Sequence, residues 1–216
     1  MAVFSYPAVV NGILGLFGPS FSSPCRCMRV PLTAANFVGP CYMPRITPSE
    51  AGSYNLCAMI DAIAVSEGTA SIGSDDGYNV LVGGETFSGY SEHPDRVIDL
   101  PSLGIHSSAA GRYQFLADTW DWAEKSISLD DFRPINQDRA ALFLIDYRGA
   151  TEAVKRGDIR KAIEQCRKEW ASLPGAGYGQ HENSAEHVIQ AYMDAGGELK
   201  HEEKDWFDRV VKDDAG

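Results

Sequence analysis

A helical stripe of apolar side chains runs through Leu56, Met59, Ile60 and Ile63. The next position on that stripe, one turn on, is Glu67, and Gly68 follows it as a helix stop. An acid therefore sits at the C-terminal lip of a helix, on the side that faces the core. Burial disfavours its ionised form, and the negative end of the helix dipole adds to that effect. A glutamic acid held protonated near neutral pH is what cleavage of a glycosidic bond requires. For this stretch alone, the competing reading is a helix-end glutamate pointing into water.

The chain has 216 residues, 44% of them apolar, enough for one core with an appendage. The appendage is residues 1–46. Seven of the eleven prolines fall within the first 48 residues, which hold no lysine. Proline at that density excludes long helices and central strands. The same stretch carries Phe4, Tyr6, Val9, Ile13, Leu14, Phe17, Phe21 and Phe37, so it is not a polar disordered tail. It is expected to dock on a partner as an extended arm, with 47–216 forming the folded domain. Wrapping its own domain is the other reading.

The formal net charge of -11 leaves no basic footprint for nucleic acid. No run of 18 apolar residues exists, so no membrane span is expected. The five cysteines, an odd number, are not a disulfide framework. Cys25, Cys27 and Cys41 lack the paired spacing of a common zinc site. They leave open one bridge within the arm or one to a partner chain. Cys57 and Cys166 fall in amphipathic helices and read as buried thiols.

Along the chain, Thr47-Pro48-Ser49-Glu50 forms a capping box and opens the helix that ends at Glu67. Asp76-Gly77 is a turn, 78–82 reads as a strand, Gly83-Gly84 turns again and 86–90 reads as a second short strand. Residues 93–101 read as irregular. A helix carrying Phe115, Leu116, Trp120 and Ala123 is broken between Asp130 and Pro134. Helices follow over about 136–147, around Ala153 and Val154, and through Ile159, Ile163, Cys166 and Trp170. A glycine-rich loop covers 173–180, a helix about 184–195, and an amphipathic acidic segment 206–211. The pattern is α+β: mostly helical, with a small sheet lobe and a helical lobe flanking a cleft.

Four segments then coincide with one family. They are Ser66-Glu67-Gly68-Thr69; Gly77-Tyr78-Asn79-Val80-Leu81-Val82-Gly83-Gly84; Ala110-Gly111-Arg112-Tyr113-Gln114; and Ala171-Ser172-Leu173-Pro174-Gly175-Ala176-Gly177-Tyr178-Gly179-Gln180. In order and spacing, over about residues 52 to 197, the chain resembles the lambda-type phage endolysins, lytic transglycosylases of the lysozyme-like superfamily. The resemblance implies a mostly helical lysozyme-like fold with a small antiparallel sheet lobe and a saccharide-binding cleft. It implies peptidoglycan glycan strands as the substrate, cut at the β-1,4 bond from N-acetylmuramic acid to N-acetylglucosamine. The products then carry 1,6-anhydro-muramic ends.

Under that resemblance Glu67 is the catalytic acid, and Tyr113, Gln114, Tyr178 and Gln180 line the groove. Ser66 orients the acid beside the substrate. Asn79 stands where many members carry an aspartate. An amide is neither nucleophile nor base, so the departure suits a mechanism with one carboxyl, while Asn79 can still bind substrate by orienting the N-acetyl group or a water. No metal or organic cofactor is required. Asp75, Asp76 and Glu85 are the remaining candidates for a second carboxylate. The arm suggests a virion-associated enzyme held in a tail by other virion proteins. A free endolysin and a weakly active structural virion component are the alternatives.

Overall fold

The computed structural model describes residues 44–72, 75–101, 104–179 and 181–213. The arm up to residue 43, with Cys25, Cys27 and Cys41, and also Gln180, lie outside the described residues. Eight helices and one two-stranded sheet are present among the described residues.

The capping box forms as expected. Thr47 accepts from the Glu50 amide, and the Glu50 carboxylate accepts from the Thr47 amide. The helix it opens, α1, covers only Pro48–Ala51. The single helix expected from there to Glu67 is instead two. Gly52 adopts a left-handed φ of 92° and ends the first. Ser53 then caps the second through the Leu56 amide, and α2 runs Tyr54–Ser66. Ten of its thirteen residues are buried, because neighbours cover it on most sides.

The sheet is displaced from where the alternation pointed. Residues 78–82 and 86–90 form only isolated bridges, Val80 to Thr86 and Leu81 to Ala110. The regular ladder joins β1 (Ile98–Leu100), within the stretch 93–101 expected to be irregular, to β2 (Ile105–Ser107), antiparallel. Residues 77–84 are turned too tightly for a strand. Gly77, Gly83 and Gly84 all have positive φ, and Gly77 has no room for a side chain. A Cβ there would lie 2.4 Å from the Thr69 carbonyl oxygen. This close approach seats the sheet lobe directly against the turn that follows Glu67.

The helical lobe follows the apolar spacing more closely. It comprises α3 (Ala117–Ile127), α4 (Pro134–Tyr147), α5 (Thr151–Lys155), α6 (Ile159–Cys166), α7 (Ala185–Asp194) and α8 (His201–Asp213). Pro134 at the first position of α4 starts that helix two residues before the expected 136. Trp170 is buried but lies past the end of α6. Phe115 is not in a helix; it bridges back to Ala110 before α3 begins.

Two buried polar clusters bind the lobes together. Asp138 on α4 accepts from the Tyr78 and Tyr113 hydroxyls at 2.7 Å each and from the Ile46 amide at 2.8 Å. Arg112 pairs with Asp61 of α2 at 2.7 Å, both fully buried, so each charge has its partner. The first cluster also bears on the domain boundary. Ile46 is in the core, and Arg45 pairs with Asp75 and Asp76, so residues 45 and 46 belong physically to the domain. Among the described residues no helix is long and apolar enough to cross a membrane.

Candidate active site

Glu67 is the C-cap of α2, with φ −73° and ψ −7°, and its amide closes the helix onto the Ile63 carbonyl at 2.8 Å. Gly68 turns left-handed directly after it, at φ 72°. The Thr69 hydroxyl fastens that turn by donating to the Ala64 and Arg112 carbonyls. The acid is therefore held from both sides by backbone.

Its side chain is only 4% exposed. Oε1 accepts from the Ser172 hydroxyl at 2.7 Å. Oε2 has no hydrogen-bond partner among the described residues. Burial pushes the carboxyl from the ordinary 4.5 up to about 7, and the hydroxyl and amide of Ser172 pull against that rise. A carboxyl poised near neutrality can hold a proton, release it and take it back at physiological pH.

Ser172 belongs to a small group that sequence reasoning did not assemble. The Ser66 hydroxyl donates to Ser172 Oγ at 3.0 Å and to its carbonyl at 3.2 Å. The Asn183 side-chain amide donates to the Ser66 carbonyl at 2.9 Å and to Ser66 Oγ at 3.0 Å. Ser66 is fully buried and faces these neighbours, so its side chain presents no surface to a sugar. Ser172 was visible only as part of the long motif before the glycine-rich loop, and Asn183 carried no signal at all.

The other expected groove residues take different places. Tyr113 is 0% exposed, its hydroxyl is committed to Asp138, and its carbonyl accepts from the Trp170 indole at 3.2 Å. Its ring is core rather than groove wall. Gln114 is also buried, in a left-handed turn at φ 49°, and its amide donates to the Gly111 carbonyl at 2.9 Å. Asn79 is buried at the edge of the sheet lobe, and its carbonyl accepts from the Phe87 amide. Tyr178 is half-buried; it lies against Lys168, whose ammonium is 5.2 Å from the ring centre, and its hydroxyl donates to the Lys168 carbonyl. Backbone ties hold this segment: the Arg112 carbonyl accepts from the Thr69 hydroxyl and the Tyr113 carbonyl from the Trp170 indole.

The candidates for a second carboxylate are engaged elsewhere. Asp75 and Asp76 pair with Arg45, Asp75 also accepts from the Tyr90 hydroxyl, and Glu85 lies 4.0 Å from Arg96. His93 is buried against the Phe115 carbonyl, and burial lowers its pKa. Cys57 and Cys166 are buried free thiols, pushed by burial to about 11 and about 12.

Comparison with known proteins meets this geometry. The endolysin family profile matches residues 57–199. The endolysin of Escherichia phage lambda is 47% identical over 146 residues, covering 66% of this chain and 92% of that protein. The endolysin of Escherichia phage P2 is 44% identical over 156 residues, covering 66% and 93%. The solved structure of bacteriophage lambda lysozyme complexed with a chitohexasaccharide superposes with a TM-score of 0.66 at 44% identity. It covers 68% of this chain and 97% of that one. By profile, identity and fold together, the chain is an enzyme of the endolysin family with the lysozyme fold.

Proposed function

We propose that this chain is a peptidoglycan lytic transglycosylase in which Glu67 is the one catalytic carboxyl. The observation that carries this reading is the state of that side chain. It is buried, pushed up to about 7, and has one oxygen without a partner among the described residues. In the first step the Glu67 proton passes to the glycosidic oxygen. The C1–O bond breaks and its electron pair leaves with that oxygen. The muramic N-acetyl group stabilises the electron-poor carbon. In the second step the sugar's own C6 hydroxyl bonds to C1, and its proton returns to the Glu67 carboxylate. No water is consumed and the enzyme ends as it began. The asparagine at 79 supports a one-carboxyl scheme, since an amide offers neither nucleophile nor base.

With 4% of Glu67 exposed, a glycan strand has to displace neighbouring groups to reach the carboxyl. Binding energy along the strand is available for that displacement. The glycine-rich 175–179 segment and Tyr178 would contact the sugar outside the acid. Gln180 would extend that contact.

The names of both curated relatives, endolysins, support a free enzyme that opens the host wall for release. They favour that reading over the virion-held one suggested by the apolar arm. Mass spectrometry of purified virions decides between them: the free reading requires the protein to be absent from particles. The catalytic reading is tested by Glu67→Gln, which should abolish wall lysis while leaving the fold intact. A variant that still clears walls removes Glu67 from the mechanism.

A further inference from the structure

Asn183, Ser66, Ser172 and Glu67 lie on three separate segments, yet they join in one line of hydrogen bonds. The Asn183 end of that line is a donor. The Asn183 amide nitrogen lies within 2.9 Å of the Ser66 carbonyl and 3.3 Å of the Ser172 carbonyl. Both are pure acceptors, so the group facing them is the NH2 and can only donate. The same nitrogen reaches Ser66 Oγ at 3.0 Å. Ser66 Oγ accepts there and passes its own hydrogen to Ser172 Oγ at 3.0 Å. Ser172 Oγ, having accepted, gives its hydrogen to Glu67 Oε1 at 2.7 Å. The Ser66 hydroxyl also has the Ser172 carbonyl within reach at 3.2 Å, so the two serines are held against each other at two points.

We propose that Ser172, held in place by Ser66 and Asn183, donates to Oε1 of the ionised Glu67 and so leaves Oε2 as the oxygen that takes the proton back in the second step. Ser172 is the positioning residue, and Ser66 and Asn183 align it. The proposal rests on the transglycosylase reading above and specifies which oxygen works. In the ionised acid Oε1 is taken up by the Ser172 hydrogen. Oε2 has no partner among the described residues and is the oxygen left to exchange a proton with the glycan. The same chain then serves the return step. Once Oε2 has given its proton away, Ser172 holds the carboxylate in place, ready to receive the C6 hydroxyl proton.

The charged side chains on the surrounding elements are engaged elsewhere. Asp61 of α2 pairs with Arg112, and Glu169 pairs with Arg148. Lys168 donates to the Ala176 carbonyl, and Glu182 accepts from the Gly175 and Gly177 amides. His181, His187 and Asp194 are exposed, and Glu186 is half-buried in the first turn of α7. None of them is a cause of the Glu67 shift.

The test is the pH dependence of kcat/KM on purified peptidoglycan, with the full chain. Removing the donor in Ser172→Ala leaves the carboxylate less stabilised. The alkaline limb should move up by roughly 0.5 to 1 pH unit, and kcat should fall roughly ten-fold with KM within about two-fold of the parent. Ser172→Thr keeps the hydroxyl and should restore the limb. Asn183→Ala, at a half-buried position, should move the limb in the same direction by less. NMR titration of the Glu67 carboxyl carbon reads the same shifts without activity. Limbs and titrations of Ser172→Ala and Asn183→Ala that superpose on the parent overturn the chain. If Ser172→Ala does not fold, Asn183→Ala decides. A still-active Glu67→Gln would instead sink the catalytic reading itself, so the two failures are distinct.

Discussion

Replacing Glu67 by glutamine should stabilise this protein at alkaline pH and much less at acid pH. The carboxyl ionises at about 7 in the folded chain, against the ordinary 4.5. Below 4.5 both folded and unfolded forms carry the proton, and the buried acid has no ionisation cost. As pH rises from 4.5 towards 7 the unfolded chain ionises and the folded one does not, so folding takes up a proton and stability falls. Above 7 the full cost is in place, roughly 3 kcal/mol at about 1.36 kcal/mol per pH unit. Between pH 5 and pH 8 the parent should therefore lose about 2.5 kcal/mol relative to Glu67→Gln. The introduced glutamine keeps an acceptor for the Ser172 hydroxyl and brings a buried NH2, whose burial penalty does not change with pH. The buried acids Asp61, Asp138 and Glu169 are common to both proteins and cancel in the difference. Urea unfolding followed by fluorescence of the buried Trp120 and Trp170 measures it directly. A stability difference that changes by less than about 0.5 kcal/mol between the two pH values would refute the raised carboxyl.

Other perturbations probe the frame around the acid. Gly77→Ala puts a methyl 2.4 Å from the Thr69 carbonyl at a φ of 86° and should cost about 2–3 kcal/mol by thermal or urea melting, lowering lysis with it. Asp138→Ala leaves two buried tyrosine hydroxyls and the Ile46 amide without their acceptor and should cost about 3 kcal/mol or more. Truncation separates arm from domain. A chain starting at Pro44 should melt like the parent. One starting at Thr47 loses the buried Ile46 and its bond to Asp138 and should be weaker by about 2–4 kcal/mol in urea. In the parent, kcat/KM should decline above about pH 7, as the population of protonated Glu67 falls.

The elements that were legible in the sequence are those fixed by local chemistry. The capping box at 47–50 and the stop at Gly68 each act within a turn of themselves. The apolar stripe ending at Glu67 was legible for the same reason. Errors arose where a residue's partners are remote. Alternation over 78–82 looked like a strand, but positive φ at Gly77 and Gly83 and the packing of 77 on Thr69 fold it into turns. Tyr113 looked like a sugar platform because a tyrosine's face suits sugars. Asp138, twenty-five positions away, claims its hydroxyl and takes the ring inside. Ser172 and Asn183 meet the acid's segment from 105 and 117 positions along the chain, with no periodicity to announce them.

The central claim is that one carboxyl acts twice and that no water enters the product. Digestion of purified peptidoglycan in water enriched in heavy oxygen tests it most directly. The account predicts muropeptides with 1,6-anhydro ends, lighter by one water than hydrolysis products and free of the heavy isotope. Products with reducing muramic ends that carry one heavy oxygen would contradict it.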